Sequence, residues 1–235
     1  MKIKIDLHNH SCLSPCGCDD MLPSLLAIEA MEQKIDIVAL TDHNCTRNLP
    51  AFEEACNLCG IMGMYGLEVN TIEDVHVLSL YSNIKDAMEF GFYIESLLPD
   101  IENKPKLTGN QNIVDLSGEI IGTFKKSLLT TCGITLEDVV NETLARDGLV
   151  IPAHIDRSVN SILATLGFLP ELPYSALEAI KPSEIIDTKG LSVITGSDAH
   201  YFENIGQRAC FIEVPELSFE GLKQGLIDGI VSYKE

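Results

Sequence analysis

Polar and apolar positions along the chain follow two periods, one of two residues and one of three to four. The opening Lys2-Ile3-Lys4-Ile5-Asp6-Leu7 alternates singly, as a strand with one covered face does, and runs straight into His8-Asn9-His10. Pro23 suits the first turn of a helix over residues 23–33, where Leu22, Leu25, Leu26, Ala30 and Met31 recur at helical spacing. The β-branched run over 35–40 has the character of a buried parallel strand and ends in Thr41-Asp42-His43-Asn44. A helix over 51–59 stops at Gly60, a strand over 61–67 delivers Glu68, and a strand over 75–81 carries His76 near its beginning.

Residues 83–98 are predicted helical, and a polar stretch without period precedes a hairpin over 112–115 and 119–123. Thr135-Leu136-Glu137-Asp138 resembles a capping box and opens a helix to Asp147 that Gly148 ends. Strands over 149–153 and 192–196 end in His154 and in Ser197-Asp198-Ala199-His200; a last strand over 209–214 and a helix from Ser218 follow. This alternation predicts an α/β fold whose sheet is wrapped by helices, either open or closed into a barrel. The length of 235 residues fits one domain over 1–235, with 83–133 as an insertion.

The apolar fraction of 46% and charged fraction of 22% are those of an ordinary folded domain. Sixteen Lys and Arg against 35 Asp and Glu leave a net charge of −19. Long-range attraction to nucleic-acid backbone or anionic lipid is therefore not expected, so neither a nucleic-acid polymer nor a membrane is an expected partner. The chain contains no run of about 18 apolar residues and no secretory signal near Met1, which predicts a cytoplasmic protein with reduced cysteines. Cys56 and Cys59 have ligand spacing but fall on one face of a predicted helix, where burial explains them.

The six histidines, His8, His10, His43, His76, His154 and His200, all lie at or beside predicted strand ends. One such histidine is ordinarily a structural residue; six predict a common site, because the ends of barrel strands converge on one cavity. Imidazoles and carboxylates are ligands for Zn²⁺, Mn²⁺ or Fe²⁺, and a carboxylate can bridge two ions about 3.5–4 Å apart. Glu68 is the natural bridge. His8 and His10, two apart on an extended segment, face the same way.

Asp6-Leu7-His8-Asn9-His10-Ser11, Thr41-Asp42-His43-Asn44, Gly66-Leu67-Glu68, Pro152-Ala153-His154 and Gly196-Ser197-Asp198-Ala199-His200 resemble, in identity and order, the successive motifs of the PHP (polymerase and histidinol phosphatase) superfamily. The resemblance implies a distorted (β/α)7 TIM-like barrel and a phosphoesterase site with two or three divalent ions (Zn, Mn or Fe). It places one ion among His8, His10, Glu68 and Asp198, and a second among Glu68, His76 and His154. A third takes His43 and His200, completed in many members by a His or Asp shortly after the His-x-His pair. Here that stretch is Ser14-Pro15-Cys16-Gly17-Cys18-Asp19-Asp20, so Cys16 is the candidate, with Cys18, Asp19 and Asp20 as rivals.

In the expected chemistry a metal-bound hydroxide attacks phosphorus in a small phosphomonoester, with Asp42, Asp198 or a metal-bound water protonating the leaving oxygen. Arg157, three residues beyond His154, is the first candidate for binding the phosphoryl group; Arg208 and Lys125-Lys126 follow it. C–N hydrolysis of the amidohydrolase type and a non-catalytic regulatory role are the competing expectations. A carboxylated lysine beside the motifs would favour the former, and retention of nearly every ligand type opposes the latter.

Overall fold

The apolar runs of the first half become β1 (Lys2–Asp6), β2 (Ile37–Leu40), β3 (Met62–Asn70) and β4 (His76–Tyr81), with α1 (Pro23–Glu32) and α2 (Leu49–Cys59) between the first three. This is seen in a computed structural model that describes residues 1–185 and 187–233. The chain continues through α3 (Ile84–Leu97), α4 (Pro105–Thr108), β5 (Asn112–Val114), β6 (Ile120–Thr123) and α5 (Leu136–Ala145) to β7 (Leu149–Pro152). It ends with α6 (Ile162–Leu166), β8 (Leu177–Glu178), β9 (Val193–Ile194), β10 (Cys210–Glu213), α7 (Phe219–Asp228) and β11 (Val231–Ser232).

One seven-stranded sheet has the order β11-β10-β1-β2-β3-β4-β7, and β8 pairs with β9 in a separate parallel pair. Hydrogen bonds at the rim join these pieces: Ile155 N donates to Glu178 O at 2.8 Å, Asp198 N to His8 O at 2.7 Å, and His10 N to Ala199 O at 3.0 Å. The curled sheet is thereby a distorted TIM-like barrel in which β1, β2, β3, β4, β7, β8 and β9 follow one another around the wall. Alternation along the strands divides the core in two. Ile5, Ile37, Ala39, Met64, Leu78, Leu80, Ile151 and Ile194 fill the interior, whereas Val38, Leu40, Val69 and Val77 pack outward against Leu26, Phe52, Phe90 and Val140 of the helices.

One strand runs against expectation. β1, β2 and β3 are parallel, but β4 is antiparallel to both β3 and β7. The connection between β3 and β4 is too short for the helical crossover that parallel pairing needs. It turns tightly instead, with Thr71 N donating to Val75 O at 3.0 Å and Asp74 in the left-handed region at φ 62°. The reversal brings the beginning of β4 to the same rim as the end of β3, so His76 pairs with Asn70 and stands close to Glu68.

Residues 83–133 divide into two parts. α3 packs against β3 and β4 as one of the covering helices. The β5–β6 part folds over the loop that follows β1: Asn112 N donates to Cys12 O at 3.0 Å, and Gly109 lies so close to Pro15 O that a side chain there would collide with it. Among the described residues, no helix is long and apolar enough to cross a membrane.

Gly66 tests the reversed pairing, because a Cβ at that position would run into Ser79 O and the Leu80 side chain on β4. Gly66→Ala should lower stability by about 1–3 kcal/mol, measured by denaturant unfolding. An unchanged midpoint would mean that β4 does not lie against β3 as described.

Candidate metal centre

The alternation that points Met64 inward also points Glu68 inward at the rim, and the same holds for Leu78 and His76 on β4. His8, His10, His43 and His154 arrive just beyond the ends of β1, β2 and β7, and His200 beyond β9. Three residues at these ends, Asn44, His154 and Asp198, have φ of 51°, 32° and 48°. Such left-handed backbone in a residue other than glycine is held only by its surroundings, and here it redirects chain and side chains at the strand ends. All six imidazoles come together: ring centroids are 4.2 Å apart for His10 and His200, 4.5 Å for His10 and His43, and 5.3 Å for His76 and His154.

Glu68 sits at the middle of them, fully buried. Its Oε1 is 2.8 Å from His76 Nδ1, 3.0 Å from His154 Nε2 and 3.4 Å from His8 Nε2; its Oε2 is 3.0 Å from His43 Nδ1 and 3.4 Å from His10 Nε2. Asp198 Oδ1 lies 3.2 Å from His10 Nε2 and 3.5 Å from His8 Nε2. Three groups have ligand atoms within 4.8 Å of one another: His8, His10, Glu68 and Asp198; His43, Glu68 and His76; and His10, His43 and His200.

The surrounding hydrogen bonds decide which ring nitrogens are free. His8 Nδ1 faces Glu178 Oε2 at 2.8 Å, a pure acceptor, so a neutral His8 carries its proton on Nδ1. His10 Nδ1 faces Ser14 Oγ at 3.0 Å, and that hydroxyl already donates to Asp42 Oδ1 at 2.6 Å, so His10 too carries its proton on Nδ1. The two Nε2 atoms then meet at 3.2 Å as lone pairs, with the oxygens of Glu68 and Asp198 beside them. Glu68 Oε2 is buried with no hydrogen-bond partner among the described residues. Acceptors converging on one point without a donor are what a cation requires, and the residues fit two or more divalent ions.

Without a cation, protons fill that place. Burial opposes a charge on His8, but Glu178, Glu68 and Asp198 outweigh it and hold the imidazole well above its ordinary value. His10 and His43 rise to about 9 in the same way, against burial, through Glu68 and, for His10, Asp198. Burial would raise Glu68 and Asp198, but the imidazoles around them draw both below the ordinary carboxylate range. His200 instead falls to about 3, through burial and its neighbour His10.

Asp42 does not reach this cavity as a proton donor: its oxygens accept from Ser11 N at 2.7 Å, Ser11 Oγ at 2.6 Å and Ser14 Oγ at 2.6 Å, and so brace the loop after His10. Asp198, drawn low, is suited to ligation and not to proton donation. Arg208 is likewise spent on structure, since Nε donates to Gly196 O at 2.9 Å and Nη2 to Ser197 O at 2.7 Å. Arg157 does stand at the mouth, with Nη1 3.6 Å from Asp198 Oδ2, and lines a cavity of about 260 Å³ with Cys16, His43, His76, Asn160 and His200. Glu178 was not foreseen: it lies on a two-residue strand with no histidine to mark it, yet it orients His8 and accepts from His154 N at 3.3 Å.

The PHP domain family model matches residues 6–146. The chain belongs to the PHP domain family. No curated protein sequence matches it. Among solved structures, the lesion-specific endonuclease PfuEndoQ from Pyrococcus furiosus aligns over 99% of this chain at 18% identity and TM-score 0.63. Endonuclease Q in complex with a 27-mer duplex bearing an abasic lesion aligns over 99% at 17% identity and TM-score 0.63. The chain spans 57% and 58% of the lengths of these two endonucleases. A protein assigned as a metal-dependent phosphoesterase from Bifidobacterium adolescentis aligns at 16% identity and TM-score 0.54, over 83% of this chain and 87% of its own. An amidohydrolase from Chromobacterium violaceum with bound sulfate aligns at 18% identity and TM-score 0.59, over 97% of both chains.

These matches correct the expectation drawn from net charge. A PHP-type fold is found on a DNA duplex, so a charge of −19 is no ground for setting nucleic acid aside. Net charge is an average over the surface, whereas an anionic substrate meets the local field of the site.

The protons on His8, His10 and His43 bind the folded chain more tightly than the unfolded one. In metal-stripped protein their contribution to stability is complete below about 6.5, the unfolded value, and is lost as pH rises through about 9. The same protons compete with cations for the same lone pairs, so loading strengthens over that window. The thermal midpoint of chelator-treated protein should fall between these pH values while its gap to Zn²⁺- or Mn²⁺-loaded protein widens. A constant gap would contradict the assignment.

Proposed function

We propose that this PHP protein is a metal-dependent hydrolase of phosphoric esters that acts on a phosphomonoester. The observation that carries the reading is the meeting of donor-free lone pairs around Glu68 beside the guanidinium of Arg157 in one small cavity. His8, His10, Glu68 and Asp198 form one ligand set; Glu68 and His76 form a second, with His154 3.0 Å from Glu68 Oε1, and His200 belongs to a third position with His43, which also lies within reach of Glu68 and His76. Cations of the Zn²⁺, Mn²⁺ or Fe²⁺ class held there supply Lewis-acid activation of water and of phosphoryl oxygens.

The chain's own residues do the rest. Glu178 and Ser14 keep the His8 and His10 protons on Nδ1, so both Nε2 atoms stay available as ligands. Asp42 fixes Ser14, and through it His10. Arg157, 40% exposed at the mouth and flanked by Asp198, presents a fork of donors that matches phosphoryl oxygens. Its guanidinium offsets the unfavourable field that an anionic substrate meets in an acidic protein. Asp156, its neighbour, does not hold it: that carboxylate accepts from Ile180 N at 2.8 Å and Lys181 N at 2.7 Å.

Hydrolysis of a nucleic-acid phosphodiester is the second reading, favoured by the fold shared with the two endonucleases. The amidohydrolase reading has the shared fold in its favour, but among the described residues no lysine lines the cavity. The metal-loaded protein should hydrolyse phosphomonoesters, and Arg157→Ala should lower kcat/KM by roughly a hundredfold or more, on the scale of a lost transition-state contact, at unchanged metal content. Turnover of oligonucleotides alone would overturn the monoester reading, and an unaffected kcat/KM in Arg157→Ala would remove Arg157 from the site.

A further inference from the structure

The loop after His10 is shaped to deliver one side chain to the outer edge of the centre. Ser14 N donates to Ser11 O at 3.0 Å and Gly17 N to Ser14 O at 2.8 Å, so residues 11–17 turn tightly. Gly17 keeps the turn close, because a Cβ there would be crowded, 3.0 Å from Ser11 O and 3.2 Å from Ser14 O. Cys18 N then donates to His200 O at 2.9 Å, tying the loop to the strand end that carries His200.

Between these ties, Cys16 Sγ lies 3.0 Å from His200 Nε2 and shares the cavity wall with His43. His200 Nδ1 faces the main-chain carbonyl of Asp198 at 2.8 Å, an acceptor, so a neutral His200 carries its proton on Nδ1. Its Nε2 lone pair therefore points at the sulfur.

Asp19 and Cys18, two other candidates in the loop, are engaged elsewhere. Asp19 accepts from Asn110 Nδ2 at 2.8 Å and Asn112 Nδ2 at 3.2 Å, and Cys18 packs against the hydrophobic core. Cys12, Cys45, Cys56, Cys132 and Cys210 are buried, whereas Cys16 is exposed on the cavity wall beside two imidazoles.

We propose that Cys16 supplies a thiolate ligand to a cation held with His43 and His200, so that this position selects a thiophilic ion such as Zn²⁺ or Fe²⁺ over Mn²⁺ or Mg²⁺. This rests on the reading of the cluster as a metal centre. Sulfur favours the softer cations, whereas the carboxylate-rich position around Glu68 and Asp198 suits harder ones as well. The two ends of the centre thereby differ in the metal they prefer.

The test is Co²⁺ loading of the full chain followed by absorption spectroscopy and elemental analysis. Wild type should show a thiolate-to-Co²⁺ charge-transfer band. Cys16→Ser should lose the band and about one equivalent of cation, while Cys18→Ser and Cys59→Ser keep both. Cys16→Asp should restore the equivalent without the band, and Zn²⁺ should protect Cys16 from alkylation in the wild type. Co²⁺ bound without a thiolate band, or a band that survives Cys16→Ser, overturns the thiolate ligand and leaves the metal-centre reading standing. A wild type that binds no Co²⁺ overturns both.

Discussion

A buried carboxylate that meets only imidazole nitrogens, and whose Oε2 has no hydrogen-bond partner among the described residues, is the constraint on which the rest of this structure depends. Taking an ionised Glu68 out of water costs several kcal/mol unless opposite charge meets it. Among the described residues no lysine or arginine does so: Glu68 is met there by imidazole nitrogens from His8, His10, His43, His76 and His154. Neutral imidazoles bring lone pairs as well as protons, and their outer hydrogen bonds turn the lone pairs inward at His8 and His10. The arrangement is consistent only when positive charge, as protons or as metal ions, is shared among them.

Several features of the fold serve that convergence. Reversal of β4 brings His76 to Glu68 from the beginning of a strand, where a parallel strand would have left it at the far rim. Left-handed backbone at His154 and Asp198 redirects the ends of the barrel wall. Asp6 accepts from Ser197 N at 2.9 Å and Gly206 N at 3.1 Å, anchoring the segment of Asp198 to β1. Asp42, which looks catalytic in sequence because it adjoins His43, is a brace for the loop that carries Ser14.

Much of this is legible in the amino-acid sequence. Histidines mark the strand ends, and the alternating strand over 2–7 and the strand over 61–67 deliver the first histidines and Glu68 at their ends. The reversed strand was not foreseen because its apolar content is that of a parallel strand; the only signal was the short connection after Asn70. Glu178 escaped because β8 is two residues long, between a proline-rich stretch and a turn, and one carboxylate there has no pattern. Arg208 was misplaced because an arginine near a motif can serve main-chain carbonyls as well as a substrate. The charge argument against nucleic acid failed because it summed over the surface a quantity that acts locally.

Cation content measured on the wild type and on Glu68→Gln tests the central claim most directly, since an amide keeps the shape of the side chain and removes the shared negative charge. Both proteins would be stripped, reloaded with Zn²⁺ or Mn²⁺ and analysed by elemental analysis, with circular dichroism to establish that the variant is folded. The account predicts about two or more ions per chain in the wild type and loss of most of them in folded Glu68→Gln. A folded variant that retains the wild-type content would contradict it, because Glu68 would then not be the group that the ions share.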